Sequence, residues 1–280
     1  MTKPGRLSLS LVTCSFQQRR YLDATFCSVF NQDYRPLEYI VIDGGSTDGS
    51  VDLIKSYAPR LAYWLSEPDS GQTDALIKGF NLARGEIQGW LCSDDLLLPG
   101  ALDRVNAFFQ RHPEVQAVYG DALWIDARGR FIRPKKEIAF NRFIFLHDHN
   151  YIPQPSMFWR RSLYDAVGGL DPRFNLAMDG DLWERFSRHT RIAHLPYYLS
   201  CMRFYPEQKT RAMKPRGRTE EAIIRTRGKS DHARTITDPA RHFAARVLRI
   251  GAKALRGGYS ATVSPEHLRW LEQLSHRQLA

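Results

Sequence analysis

The chain has 280 residues, of which 43% are hydrophobic and 12% aromatic, enough for one large domain with a small appendage. No stretch approaches the roughly 18 continuous apolar residues that a membrane-spanning helix needs, and the run at the N-terminus, "MTKPGRLSLSLVTCSF", lacks a small-residue cleavage site and reads as a first strand rather than a signal peptide. The net charge of +10 is local: 15 Lys/Arg face 5 Asp/Glu between Arg203 and Gly258, leaving 25 against 25 elsewhere, so the basic character belongs to the C-terminal part.

In chain order, "LSLSLVTCSF" is a strand, and Arg19 to Gln32 carries Leu22, Phe26, Val29 and Phe30 at helical spacing. "LEYIVIDGG" is a second strand, apolar enough to be buried on both faces. Helices follow at Asp48 to Tyr57 and Gln72 to Ala83, with "LAYWLSE" as the strand between them. "EIQGWLCSDD" is a fourth strand, "LLLPG" packs the turn after it, and Gly100 to Arg111 is the next helix. Such alternation predicts an α/β fold with a mostly parallel central sheet flanked by helices. Ligands gather at the carboxyl ends of such strands. There the sequence places "TCSF", "DGGSTDGS", "SEPDSGQTDA" and "SDD".

The second half is less regular. "VQAVYGDALWIDARGRFIRP" predicts paired strands turning at Arg128-Gly129. "QPSMFWRR" and "IAHLPYYLSCMRFY" read as extended, and Ser162 to Val167 and "AMDGDLWERFSRH" as helical. From about Lys214 onward helices and linkers are expected. The four cysteines, Cys14, Cys27, Cys92 and Cys201, lie far apart without a paired metal spacing, which fits buried thiols in a reduced, cytoplasmic protein.

Two adjacent carboxylates, Asp94 and Asp95, end an apolar strand. Paired carboxylates suit Mg²⁺ or Mn²⁺ held together with substrate phosphates. The competing reading has one of them capping the helix at Pro99 while the other faces solvent. Asp43 and Asp48 surround the glycine turn of "VIDGGSTDGS". Carboxylates there accept hydrogen bonds from ribose or a base edge, as in dinucleotide folds. Helix capping is an equally good use for Asp48. The glycine spacing matches neither G-x-G-x-x-G nor a P-loop, which argues against an ordinary dehydrogenase and a P-loop ATPase. Asp179 and Asp181 lie in a helix first turn, where the helix dipole alone favours acids. "HDHN" at 147–150 reads as a solvated loop rather than a metal site.

In their order, "TCSFQQRRYL", "IDGGSTDGS", "SEPDSGQTDALIKGFNLARGE" and "WLCSDDLLLPGAL" resemble family 2 glycosyltransferases of the bacterial polysaccharide and O-antigen type, over roughly residues 7–205. The resemblance implies the GT-A fold and hexosyl transfer from a nucleotide-diphosphate sugar to a glycan or lipid-linked acceptor. It places Asp43 and Asp48 at the nucleotide, Asp95 on the metal (Mn²⁺ or Mg²⁺), and Asp94 beside it, either at the ribose or as an indirect partner of the metal. The segment at 67–79 then lines the donor pocket, with Asp69, Gln72 and Asp74 near base, ribose or sugar and Lys78 near phosphate. "LAMDGDLWERF" resembles the family's E-D-x-D-L-W helix start, which makes Asp179 the base; Met178 replaces its usual acidic neighbour. An inverting transfer needs such a carboxylate to take the acceptor hydroxyl proton during attack on the anomeric carbon. "MRFYPEQKT" resembles the segment closing over the diphosphate, with Arg203 and Lys209 as its partners and Tyr205 where a histidine is common. Trp183 either stacks on a sugar or lies in the core.

The expected organisation is a GT-A domain at 1–213, with a nucleotide-sugar half to about residue 121 and an acceptor half from 122, then a basic helical extension at 214–280. Between Asp238 and Arg256, Phe243, Val247, Ile250 and Ala254, joined by Leu248 and Leu255, form an apolar stripe. Arg246, Arg249, Lys253 and Arg256 form a cationic one. Two readings stay open: the helix lies on an anionic membrane surface, on the inner face of the cytoplasmic membrane, or it packs its apolar face on the domain and shows arginines to water. Nucleic acid is not an expected partner, because no recognised motif accompanies the charge. A nucleotidyltransferase of similar sheet architecture and a non-catalytic membrane-peripheral scaffold are the alternatives to a transferase.

Overall fold

The computed structural model describes residues 5–229 and 238–279. Its first half follows the alternation: β1 (Leu9–Ser15), α1 (Arg19–Phe30), β2 (Leu37–Asp43), α2 (Ser50–Tyr57), β3 (Tyr63–Ser66), α3 (Gln72–Leu82) and β4 (Ile87–Trp90). β1 pairs in parallel with both β2 and β4, and β2 with β3. All seven residues of β1 are buried, as an apolar strand covered on both faces must be.

β5 (Leu96–Leu97) and α4 (Ala101–Arg111) follow, then β6 (Ala117–Ile125), β7 (Phe131–Lys135), α5 (Arg142–His147), β8 (Met157–Arg160), α6 (Arg161–Ala166), α7 (Met178–His189) and β9 (Ile192–Arg203). One sheet runs through both halves in the order β3-β2-β1-β4-β8-β6-β9-β5, with β7 on β6. β6 crosses the expected division at residue 121, so no gap in the sheet marks it. "LLLPG" is more than a packed turn: Leu96 and Leu97 pair antiparallel with Cys201 and Ser200 of β9. Asp94 and Asp95 are thus held between two strands, the end of β4 and the start of β5.

Two apolar layers cover the sheet. Trp183 lies in one of them, fully buried and stacked on Trp90 with ring centroids 5.5 Å apart. That places it in the core and removes it as a sugar platform.

The last helices are α8 (Lys209–Ala212), α9 (Lys214–Lys229), α10 (Asp238–Leu255) and α11 (Pro265–Leu279). Leu271 and Leu274 of α11 join Leu96 and Leu98 in a third apolar cluster. α10 does not pack its apolar face on the domain, which corrects the second of the two readings. Two of its cations face inward: Arg249 pairs with Asp148, and Lys253 Nζ lies 3.0 Å from Glu137 Oε1. His242 Nδ1 meets the His147 carbonyl at 2.7 Å, and Ala245 is fully buried. The apolar stripe faces out, with Phe243 70% and Leu255 91% exposed and Val247, Leu248 and Ile250 also exposed. The physical reason lies on the domain. Glu137 and Asp148 are buried carboxylates, and a buried charge without a partner costs far more than an exposed apolar side chain. The same pairing corrects the solvated-loop reading of "HDHN": His147 and Asp148 are buried and receive α10. Among the described residues no helix is long and apolar enough to cross a membrane.

Candidate active site

The paired aspartates sit at the mouth of the sheet and are almost fully buried. Asp94 Oδ2 accepts the Tyr205 hydroxyl at 2.8 Å, and Asp95 Oδ1 accepts the Arg203 backbone N–H at 2.8 Å. Burial pushes the Asp94 carboxyl up, and burial with Asp94 as neighbour pushes Asp95 well up. Two carboxylates desolvated side by side want a cation. Cys92 Sγ and one oxygen from each aspartate lie within 4.8 Å of one another. Hard oxygens in this number fit Mg²⁺ or Mn²⁺, and among the described residues only Oδ1 of the Asp95 carboxylate is hydrogen-bonded.

Arg203 does not reach into this space. Its guanidinium is fully buried, 4.6 Å over the Tyr21 ring, giving Nε to the Asp94 carbonyl at 2.7 Å and Nη1 to the carbonyls of Asp126 and Ala127. It braces the aspartate loop from behind, which corrects the expected diphosphate contact: reaching one would break those bonds.

The β2–α2 loop is likewise self-organised. The Asp43 carboxylate accepts Ser46 N–H (2.8 Å), Ser46 Oγ (2.6 Å), Gly45 N–H (3.1 Å) and Ser66 Oγ (2.7 Å). Asp48 accepts Ser50 N–H and Oγ and the Arg19 N–H at 2.9 Å, tying the starts of α1 and α2 together. Burial raises its pKa, but the Ser50 hydroxyl and the N–H groups outweigh that and hold it below the usual carboxylate range. Both residues therefore shape the loop, and a nucleotide contact by Asp43 has to share its oxygens. Gly44 packs closely, since a Cβ there would sit 2.8 Å from the Asp69 carboxylate and make that side chain shift.

Along α3, Gln72 lies beside the aspartate pair's Cys92, with Nε2 3.4 Å from Cys92 Sγ and Oε1 3.4 Å from Lys209 Nζ. Lys209 also donates to the Asn175 carbonyl at 2.8 Å and to Asn175 Oδ1 at 2.9 Å, and burial lowers its pKa. It thereby bridges the α3 side to the segment before α7. Asp74 and Lys78 turn outward: Asp74 Oδ2 accepts the Ser70 N–H, and Lys78 Nζ lies 2.9 Å from Glu67 and 3.4 Å from Asp74. A phosphate would have to draw Lys78 from that pair.

Asp179 and Asp181 share a helix turn but not an environment. Asp181 is fully buried between Arg185 (2.6 Å) and Arg227 (2.7 Å). Asp179 opens onto a cleft of about 580 Å³, whose lining includes Asn150, Gln154, Trp124, Arg249 and Tyr259. Burial raises its pKa to about 6; the Gly180 N–H lowers it, Glu221 raises it, and Asn150 Nδ2, 3.0 Å away, lowers it. Gln154 joins this cleft to the aspartate pair, since Cys92 Sγ lies 3.5 Å from its Oε1 and its Nε2 donates to the Trp90 carbonyl. Asn150 closes "HDHN" and Gln154 opens "QPSMFWRR", neither singled out for the site, while Asn175 and Glu220 carried no motif. Glu220 accepts the N–H groups of Asn175, Leu176 and Ala177, fixing the backbone that leads to Asp179.

The family model "Glycosyl transferase family 2" matches residues 10–167. The chain belongs to family 2 of the glycosyltransferases. It is 33% identical over 197 residues to an uncharacterised glycosyltransferase of Mycobacterium tuberculosis, covering 70% of this chain and 73% of that one. It is 30% identical over 176 residues to a PGL/p-HBAD biosynthesis glycosyltransferase of Mycobacterium bovis, covering 61% and 66%. Among solved structures, S. aureus TarS 1-349 in complex with UDP-GlcNAc superposes with a TM-score of 0.67 at 16% identity, covering 93% of this chain and 77% of that chain. Against the longer TarS chain the coverage is 46% of its length. Mannosyltransferase PcManGT of Pyrobaculum calidifontis, in complex with GDP-Man and Mn²⁺, gives 0.61 at 17% identity, covering 99% and 89%. These likenesses establish the GT-A fold. The chain is thus a glycosyltransferase, which sets aside the nucleotidyltransferase and scaffold alternatives.

Proposed function

We propose that the enzyme is a divalent-metal-dependent, inverting glycosyltransferase, with a donor half to about residue 121, an acceptor half to residue 213, and Asp179 as the base. One observation carries the reading: Asp179, held at a pKa of about 6, opens onto a cleft that Gln154 connects to the Asp94–Asp95 pair. A base that is ionised at neutral pH yet close to its pKa is suited to taking a hydroxyl proton. Asp95 would hold the metal, with Asp94 oriented by Tyr205 beside it. A bound divalent ion would neutralise charge on the departing nucleotide diphosphate. Gln72 and Lys209 face the same space and are the best-placed protein groups for donor sugar and phosphate. Asp43 and Asp48 hold the loop the nucleotide would lie against.

The acceptor we propose is a lipid-linked glycan presented at an anionic membrane surface on the cytoplasmic side. Support comes from α10. Its outer face exposes Phe243, Val247, Leu248, Ile250 and Leu255, with Arg246 exposed among them. Its inner residues Arg249 and Lys253 line the Asp179 cleft. An apolar face on a basic segment fits an anionic bilayer, whereas a second copy would bring like charge to like.

The test is a panel of nucleotide sugars with Mn²⁺ and Mg²⁺, read by thermal stabilisation and donor hydrolysis, with the anomer of the product read by NMR. Asp95→Ala should lose the metal-dependent stabilisation. Asp179→Asn should bind donor and fail in transfer. A response to no donor, or an Asp95→Ala protein that responds like the parent, refutes the metal assignment, and full activity in Asp179→Asn refutes the base.

A further inference from the structure

Two cysteines, Cys14 and Cys92, stand beside the paired aspartates, and the transfer chemistry assigns neither sulfur a role. β1 and β4 run parallel in the register Leu11↔Gly89 and Val12↔Trp90, and the Leu91 N–H continues it by donating to the Val12 carbonyl at 2.9 Å. Two residues further on, that register sets Cys14 opposite Cys92. Side chains alternate along a strand, so both thiols project to the face of Val12 and Trp90, and both pack in the apolar layer containing those residues. Neighbouring strands lie about 4.8 Å apart, inside the roughly 4.4–6.8 Å Cα window that a disulfide requires.

We propose that Cys14 and Cys92 form a vicinal dithiol, a modification site for low-molecular-weight disulfides, and that its closure shuts the donor site. One cysteine sulfur attacks the small disulfide RSSR, forming a mixed disulfide and releasing one RSH. The second cysteine sulfur displaces the remaining RSH. One protein S–S bond forms and one small S–S bond breaks. The dithiol loses two electrons, RSSR gains them, and the two thiol protons leave on the released RSH molecules. Cys92 Sγ is half-buried between Gln72 Nε2 (3.4 Å) and Gln154 Oε1 (3.5 Å), and of the two thiols it is the more exposed and the first point of attack.

Closure has two consequences for the site. A disulfide brings the two sulfurs to about 2.05 Å, drawing the Cys92–Asp95 segment toward β1, and displacements near 1 Å matter in a preorganised site. Cys92 also loses its S–H, leaving Gln154 Oε1 without that donor. The effect on donor binding rests on the cleft being the nucleotide-sugar site; formation of the bond does not.

The experiment uses the full reduced chain, exposed to oxidised glutathione with and without Mn²⁺ plus UDP or GDP, followed by thiol counting and peptide mapping. The four free thiols should fall to two, with Cys14 joined to Cys92, the bond reversed by dithiothreitol and slowed by nucleotide. Cys14→Ser and Cys92→Ser should each form no such bond, and the oxidised parent should lose nucleotide-dependent stabilisation at least tenfold in apparent affinity. Four thiols persisting after prolonged exposure, or bonds formed through Cys27 or Cys201 instead, overturn the dithiol, and this map on the parent protein holds even if a serine variant fails to fold. Unchanged nucleotide binding after Cys14–Cys92 closure overturns the shut-off. A disulfide that forms in a protein binding no nucleotide in either state upholds the dithiol and overturns the donor-site reading instead.

Discussion

Removing the Asn150 side chain should move the acid limb of the reaction to higher pH. Asn150 Nδ2 donates to Asp179 Oδ2 at 3.0 Å, a bond that favours the charged carboxylate. Such a bond to a charged group is worth about 1.5 kcal/mol or more, and 1.36 kcal/mol corresponds to about one pH unit. With Asp179 at about 6, roughly a tenth of it is ionised at pH 5, so the parent enzyme should turn over about tenfold more slowly there than at neutral pH. In Asn150→Ala the same tenfold loss should already appear near pH 6, about one unit higher. Glu221 raises the same pKa, so Glu221→Gln should move the limb the opposite way. The assay is donor turnover against pH, paired with a ¹³C-carboxyl NMR titration in which Asp179→Asn identifies the resonance. A limb that stays put in Asn150→Ala, or moves the same way in both variants, refutes Asp179 as the titrating base.

The outward face of α10 should bind vesicles: the parent should sediment with phosphatidylglycerol-rich liposomes and not with neutral ones, and Phe243→Asp with Leu255→Asp should abolish sedimentation while leaving the thermal midpoint unchanged. Concentration-dependent dimerisation through the same residues would refute that assignment. Glu220→Gln should destabilise the fold by about 2 kcal/mol in denaturant melts, because three backbone N–H groups lose a charged acceptor. Burial raises the Glu220 pKa, but those N–H groups outweigh it and set it below its ordinary value. Its contribution is therefore present above the unfolded-state pKa and lost as pH falls through the folded one, so parent and variant should converge in acid. Lys253→Glu should set two carboxylates against each other at Glu137 and release α10, read as faster proteolysis between α9 and α10.

Much of the donor half was legible in the chain order alone. Strands with a two-faced apolar pattern and helices of 3.6 periodicity fixed β1 to β4 and then α4 within a few residues, though not the short β5 between them, and four polar loops had to meet at one sheet edge. The aspartate pair could be found because charge is rare at the end of a buried strand. Its surroundings could not: Tyr205 and the Arg203 N–H reach it across more than a hundred residues, and no local pattern encodes which donor a carboxylate will meet. Arg203 shows the same limit, since its motif position suggested phosphate while its burial under Tyr21 spends it on backbone carbonyls.

The sharpest division falls at α10. By itself the sequence determined that 238–256 is an amphipathic helix with separate apolar and cationic stripes, because both follow from spacing. Which stripe turns inward was decided by Glu137 and Asp148, more than a hundred positions upstream for Arg249 and Lys253, at 3.0 Å in the case of Lys253. Two buried carboxylates need cations more than the domain needs another apolar contact. That choice exists only once the chain has folded, and it leaves the apolar stripe facing outward.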